Sequence, residues 1–295
     1  MIDFRRVCCV ALFPILVIPV TLPAEGQDST GINATRLGIV AGAAAGTIAA
    51  VHIYQHSAWW QGERAPFRFE NDWTYALNID KMGHTYGGYA ESKLARNILG
   101  WIGLDERPAL VYGSLLGLAY QTYVEVEDGY HQAYGFSPGD EFSDILGASI
   151  PLAQEAFPVL KNFSMKFGYY PSSQYLDALK TQKFRVFIDD YEGSVYWICM
   201  DPHFLMGEKL RNQVPPWLGV AMGFAVHDLD ENGAGRRLYY LTLDYNFSKI
   251  STTSDVLKTL FGALDFFHFP APGIALEDSQ LRFGIFYTFH VKATL

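Results

Sequence analysis

Apolar and polar positions follow a helical period through roughly the first half of the chain and a period of two through the second. Leu37 to Ile53 contains no charged residue and carries Gly38, Gly42 and Gly46 four apart. That spacing puts the glycines on one helical face. Asp80 to Leu99 is amphipathic and charged, and Pro108 to Val124 is uncharged with Gly113 and Gly117 again four apart. Pro138 to Ala156 opens with a start signal: Ser137 as N-cap, Pro138 in the first turn, Asp140 near the positive end of the dipole. These segments predict four helices.

Beyond them, Leu218, Val220, Met222, Phe224 and Val226 alternate with Gly and Ala, while Tyr239 to Ser248 and Leu281 to Lys292 alternate apolar residues with mainly polar ones such as Thr242, Asp244, Arg282 and His290. Phe184 to Asp201 predicts a hairpin around Glu192-Gly193-Ser194. Thr253 to Phe267 predicts an amphipathic helix, stopped by Pro270-Ala271-Pro272-Gly273. A membrane-spanning barrel needs at least about eight strands, more than the four or five of this pattern. The expected class is therefore α+β, an N-terminal bundle of about four short apolar or amphipathic helices followed by a small antiparallel sheet with an amphipathic helix. The expected division is a signal peptide at 1–24, a linker at 25–36, a helical membrane-associated domain at 37–160 and a β-rich region at 161–295.

Composition narrows the setting. The formal charge of −9, from 22 basic and 31 acidic residues, removes the driving force for non-specific nucleic-acid binding. Arg5 and Arg6, the apolar stretch Val7 to Val20 and the exit Leu22-Pro23-Ala24 read as a secretory signal cut after Ala24. Cys8 and Cys9 lie at the start of that stretch, where a lipoprotein signal would place a cysteine at its end, so no lipidation is expected. Cys199 then remains alone, which excludes an intramolecular disulfide or a cysteine-based zinc cluster; in its apolar run it reads as a buried thiol. The uncharged, glycine-spaced helices make membrane lipid the expected partner, with a protein partner or a second copy as further candidates.

Three polar clusters could carry chemistry. Asp80 and His84 are four apart on one helix with Lys81 beside them, so a carboxylate could orient the imidazole or both could hold a metal. Glu125, Glu127 and Asp128 follow an apolar helix, where acids oppose the macrodipole. Asp140 and Asp144 share the capped helix, and Asp144 falls inside the apolar run Phe142 to Leu152, where a carboxylate needs a partner such as Lys81 or His84. The candidate site is Asp80, Lys81, His84, Glu125, Asp128, Asp140 and Asp144; neither a cofactor nor a particular metal is specified by these residues.

The run Asp80-Lys81-Met82-Gly83-His84 with Tyr89, then Glu125 to Gly129, Gly135 to Asp140, and Asp144-Ile145-Leu146-Gly147-Ala148 resembles the YfiM-type family of predicted bacterial periplasmic proteins. The order of motifs is more distantly similar to VanZ-like membrane proteins. Longer members of the YfiM-type family carry a tail with motifs like Asp190-Tyr191-Glu192-Gly193, Tyr196-Trp197 and Pro270-Ala271-Pro272-Gly273, so the resemblance extends over most of the mature chain. It implies an envelope protein without an assigned reaction, and the missing lipobox cysteine departs from lipoprotein members. The first functional reading is a non-enzymatic, structural or partner-binding envelope protein. The alternative is a membrane-proximal hydrolase or transferase acting on an envelope lipid or lipid-linked sugar, with His84 as acid/base and the carboxylates orienting it or holding a divalent cation.

Overall fold

The computed structural model describes residues 31–60, 63–181, 187–230, 232–277 and 280–284. The expected signal peptide lies outside them, as do residues 184–186 of the expected hairpin and residues 285–292 of the last expected strand.

All four expected helices are present: α1 Ala34–Ala58, α2 Ile79–Trp101, α3 Glu106–Gly129 and α4 Pro138–Ala156. Only the last three pack tightly on one another. Helix α1, capped by Asn33, which accepts from Arg36 N at 3.0 Å, is tied on near its ends. Asn33 N donates to the Ile102 carbonyl at 2.8 Å, and Gln55 Nε2 to the Tyr120 hydroxyl at 3.0 Å. Its glycine face, expected to admit another helix, is open: a Cβ at Gly38, Gly42 or Gly46 would meet nothing within 4 Å.

The glycines that do bring helices together are elsewhere. A Cβ at Gly88 of α2 would lie 2.7 Å from the Asp144 carbonyl oxygen, and one at Gly147 of α4 would overlap the Thr85 carbonyl. Two helices that cross backbone to backbone hold the side chains one turn away at short, fixed separations. Gly113 and Gly117 do the same for α3 against α2 at Ser92 and Arg96. The start of α2 is fixed by Ala76, Leu77 and Asn78, at φ +46°, +60° and +74°. L-residues resist that region. Asn78 Nδ2 donates to the Trp73 carbonyl at 2.6 Å, and Arg237 reaches Asn78 Oδ1 at 3.2 Å, so contacts from both sides hold the turn.

The second half is one antiparallel meander, β1 Phe163–Tyr169, β2 Ser194–Met200, β3 Leu218–His227, β4 Arg236–Tyr245, β5 Gly273–Glu277 and β6 Gln280–Gly284, in that spatial order. Six strands among the described residues replace the expected four or five. The expected hairpin around Glu192-Gly193-Ser194 is not formed: 187–189 and 191–193 are single 3₁₀ turns, and β2 pairs instead with β1, Phe167 opposite Tyr196. Strand β1 escapes a period-two reading because Met165, Lys166, Phe167 and Gly168 are all buried, so neither of its faces is polar by contrast. The helices α5 Ser173–Lys180 and α6 Glu208–Arg211 were likewise not anticipated, whereas α7 Asp255–Leu264 falls within its expected span.

The sheet curls until β1 and β4 meet through their side chains: buried Lys166 Nζ donates to Asp244 Oδ2 at 3.0 Å and to the Tyr245 carbonyl at 2.7 Å. His268 closes the same interior, its ring stacked 3.7 Å from Trp197. A second core, Ala76, Ile79, Phe167, Tyr196 and Val226 with Met82 and Tyr86 against it, joins the sheet to α2.

The outward faces are apolar. Val111, Tyr112, Leu115 and Leu116 of α3 are exposed, as are Phe142, Ile145, Leu146 and Leu152 of α4. Across the sheet, Ile198, Met222, Leu241, Ile274 and Phe283 stand in one register row, all exposed. Inside lie Glu125, Asp140, Asp144, Lys166, Asp244 and His268.

Candidate functional site

The α2–α4 crossing at Gly88 and Gly147 puts Asp144 beside His84. His84 Nδ1 stands 3.1 Å from Asp144 Oδ1 and 3.8 Å from Glu125 Oε1, which α3 contributes; on the other side of the ring, Nε2 is 3.6 Å from Asp140 Oδ1. Lys81, one turn before His84, places Nζ 2.7 Å from Asp140 Oδ1 and 3.0 Å from both Asp80 Oδ2 and Asp72 Oδ1. Six of the seven expected residues therefore form one continuous cluster from three helices. Asp128 is the exception: it sits one turn beyond Glu125, and its carboxylate accepts from the Trp60 indole N–H at 2.6 Å.

Asp144 is fully buried, whereas the side chains of Asp72, His84 and Asp80 keep 25%, 19% and 14% of their exposure, so the cluster meets its surroundings along the edge these three form. Helix α4 starts here as its sequence predicts: Ser137 Oγ accepts from Asp140 N at 3.1 Å, while Ser137 N donates to Glu125 Oε2 at 3.0 Å. The same cap thus orders Glu125. An open depression lined by Phe69, Glu70, Asn71, Trp73, Pro138 and Gly139 lies over this helix start.

Burial and mutual charge separate the acidities. Burial disfavours the charged His84, but its hydrogen bond to Asp144 and the charges of Asp80 and Asp140 outweigh this and hold it well above the usual histidine range. Burial raises Glu125 to about 8 and Asp140 to about 7, each partly offset by His84. Asp80 goes the other way: burial would raise it, yet His84, Lys81 and the Tyr191 hydroxyl together keep it ionised below the usual carboxylate range. Burial also lifts Asp128 to about 6, opposed by the Trp60 hydrogen bond.

Four participants were not anticipated. Asp72, from the segment before α2, pairs with Lys81, and Trp60 holds Asp128. Tyr191, from the turn preceding β2, donates to Asp80 Oδ1 at 2.7 Å. Glu91, which accepts from Gln121 Nε2 at 3.0 Å, is pushed well above the usual range by burial. Glu91 lies seven residues after His84 on the same helical face, a signal in the sequence that could have found it. Tyr191 falls in the Asp190-Tyr191-Glu192-Gly193 motif, but nothing local ties it to Asp80, 111 residues away. Cys199 is buried, in agreement with a structural thiol.

Fold and site together define an α+β protein with a His–carboxylate cluster at the crossing of three helices. A family model described as a predicted periplasmic lipoprotein (DUF2279) matches residues 68–154, a span that holds all seven candidate residues. An uncharacterised periplasmic family and an N-terminal apolar helix support an exported envelope protein. No curated protein and no solved structure matches the chain.

Proposed function

We propose that this chain is a membrane-associated envelope hydrolase or transferase working on an envelope lipid or lipid-linked sugar, with the His84 cluster as its centre. One observation carries the reading. Groups from α2, α3 and α4 converge on a single partly accessible imidazole, where a role confined to helix cohesion would be served by pairs buried throughout. In hydrolysis, water adds across an ester or phosphoester bond; a flanking carboxylate takes the proton from water, and His84, held in its charged form, gives one to the leaving oxygen. The YfiM-type resemblance belongs with this reading, since it too points to the envelope without naming a reaction.

Lipid as the surrounding is supported by the outward apolar faces and by α1. Its 25 residues span about 37 Å at 1.5 Å per residue, more than the roughly 30 Å hydrocarbon thickness. A structural, non-enzymatic role is the second reading, favoured by Lys81, whose three carboxylate partners make it a tie between helices and loop.

The test is turnover by the purified chain in detergent on two substrates, a phospholipid and a polyprenyl-diphosphate-linked sugar. Release of product by wild type, abolished in a folded His84→Gln variant, supports the hydrolase. Wild type inert on both, or activity unchanged in His84→Gln, returns the cluster to the structural reading.

A further inference from the structure

Lys81 and His84 do not share the cluster evenly. An ammonium has three donors, and those of Lys81 face Asp72, Asp80 and Asp140. Asp144 and Glu125, both buried, have one imidazole between them as a cationic neighbour, and Glu125 Oε2 also accepts from Ser137 N at 3.0 Å. The imidazole Nδ1 can donate a single hydrogen, and Asp144 Oδ1 at 3.1 Å takes it, while Glu125 Oε1 at 3.8 Å is beyond hydrogen-bond length. Asp144 Oδ2, buried, has no hydrogen-bond partner among the described residues. A fully buried carboxylate with an open oxygen is costly without a cation.

From this geometry we propose that His84 Nδ1, Asp144 and Glu125 form a binding site for a divalent transition-metal ion. Their ligand atoms all lie within 4.8 Å of one another. Two ligands about 2.1 Å from a tetrahedral ion stand roughly 3.4 Å apart, between the 3.1 and 3.8 Å separations from His84 to its two acids. On the opposite edge of the ring, Asp140, itself fixed by Lys81, stands 3.6 Å from Nε2, a charge contact longer than a hydrogen bond. The group formed by Asp80, His84 and Asp140 is equally close, but the Lys81 ammonium sits among its oxygens and repels an ion there. One nitrogen and two carboxylates suit Zn²⁺ or Mn²⁺ better than Mg²⁺, and three protein ligands leave a position for water.

The inference rests on the hydrolase reading and refines it: on binding, His84 would release its Nδ1 proton to solvent and serve as a ligand, and the bound ion would supply the acidity that activates a water. Its test reads the ion, not the turnover. The full chain is purified in detergent and stripped with chelator, then titrated calorimetrically with Zn²⁺ and with Mn²⁺. The expected result is one equivalent of one of these ions per chain, a raised unfolding temperature, and affinity reduced at least about tenfold by Asp144→Asn and by Glu125→Gln. Glu125→Gln serves if Asp144→Asn does not fold. Absence of one-equivalent binding to wild type, or affinity unchanged in a folded variant, overturns the site. Chelator-resistant turnover with no ion bound removes the ion and keeps the hydrolase; stoichiometric binding with no turnover keeps the ion site and removes the hydrolase.

Discussion

His84 and Asp144 belong to different helices and meet at 3.1 Å because Gly88 and Gly147 let the two backbones touch one turn away. Taking the acid from a buried pair leaves its partner's charge uncompensated. Asp144→Ala is expected to lower stability by about 3 kcal/mol, read as a shift in denaturant midpoint, with Asp144→Asn losing less. An unchanged midpoint for Asp144→Ala would show that the pair holds nothing together.

The glycines of α1 and of the α2–α4 crossing should respond oppositely to the same change. Gly147→Ala places a methyl against the Thr85 carbonyl, and overpacking of this kind costs about 1–3 kcal/mol. Gly42→Ala meets open space and is expected to be neutral or to stabilise the helix by up to about 1 kcal/mol. Thermal unfolding of the two variants decides it, and equal shifts would contradict the crossing.

His268 makes the sheet interior sensitive to acid. Burial, opposed by its hydrogen bond to the Leu243 carbonyl and reinforced by the Lys166 charge, depresses it from 6.5 to about 3. Between those values the unfolded chain binds the extra proton, so stability falls as pH drops, by at most about 1.4 kcal/mol per pH unit for one proton. Asp244, 3.8 Å from His268, is raised by burial and works in the opposite direction, so the comparison is between wild type and His268→Asn in the same background. The variant should show the flatter profile from neutral pH toward pH 3, and parallel profiles would refute the assignment.

Membrane association is expected to survive a carbonate wash. Its outward residues make the prediction specific: Leu115→Lys with Ile145→Lys, both at exposed positions, should leave the circular dichroism unchanged and move protein toward the soluble fraction. Complete release of wild type by carbonate would mean that these faces are covered by protein instead of lipid.

The hydrophobic pattern by itself determined that four helices lie within 34–156 and that β3, β4 and β6 are strands, the helices from charge-free or amphipathic runs and the strands from a period of two. Local chemistry determined the start of α4, where Ser137 caps as its spacing implies. The polar identities of the site were legible too, since carboxylates within apolar runs announce a need for partners. Which partners they find was decided only in three dimensions. Lys81 could have served Asp144, yet it faces Asp72, Asp80 and Asp140, because the left-handed turn at Ala76 to Asn78 and the Ser137 cap set where the chain enters α2 and α4. Tertiary packing also decided which glycine face is used: Gly113 and Gly117 meet α2, while Gly38, Gly42 and Gly46, with the same spacing, meet nothing. Strand β1 belongs to the tertiary level for the same reason. A strand buried on both faces has no polar side to reveal its period, so Lys166 shows its place only where the curled sheet brings Asp244 to it.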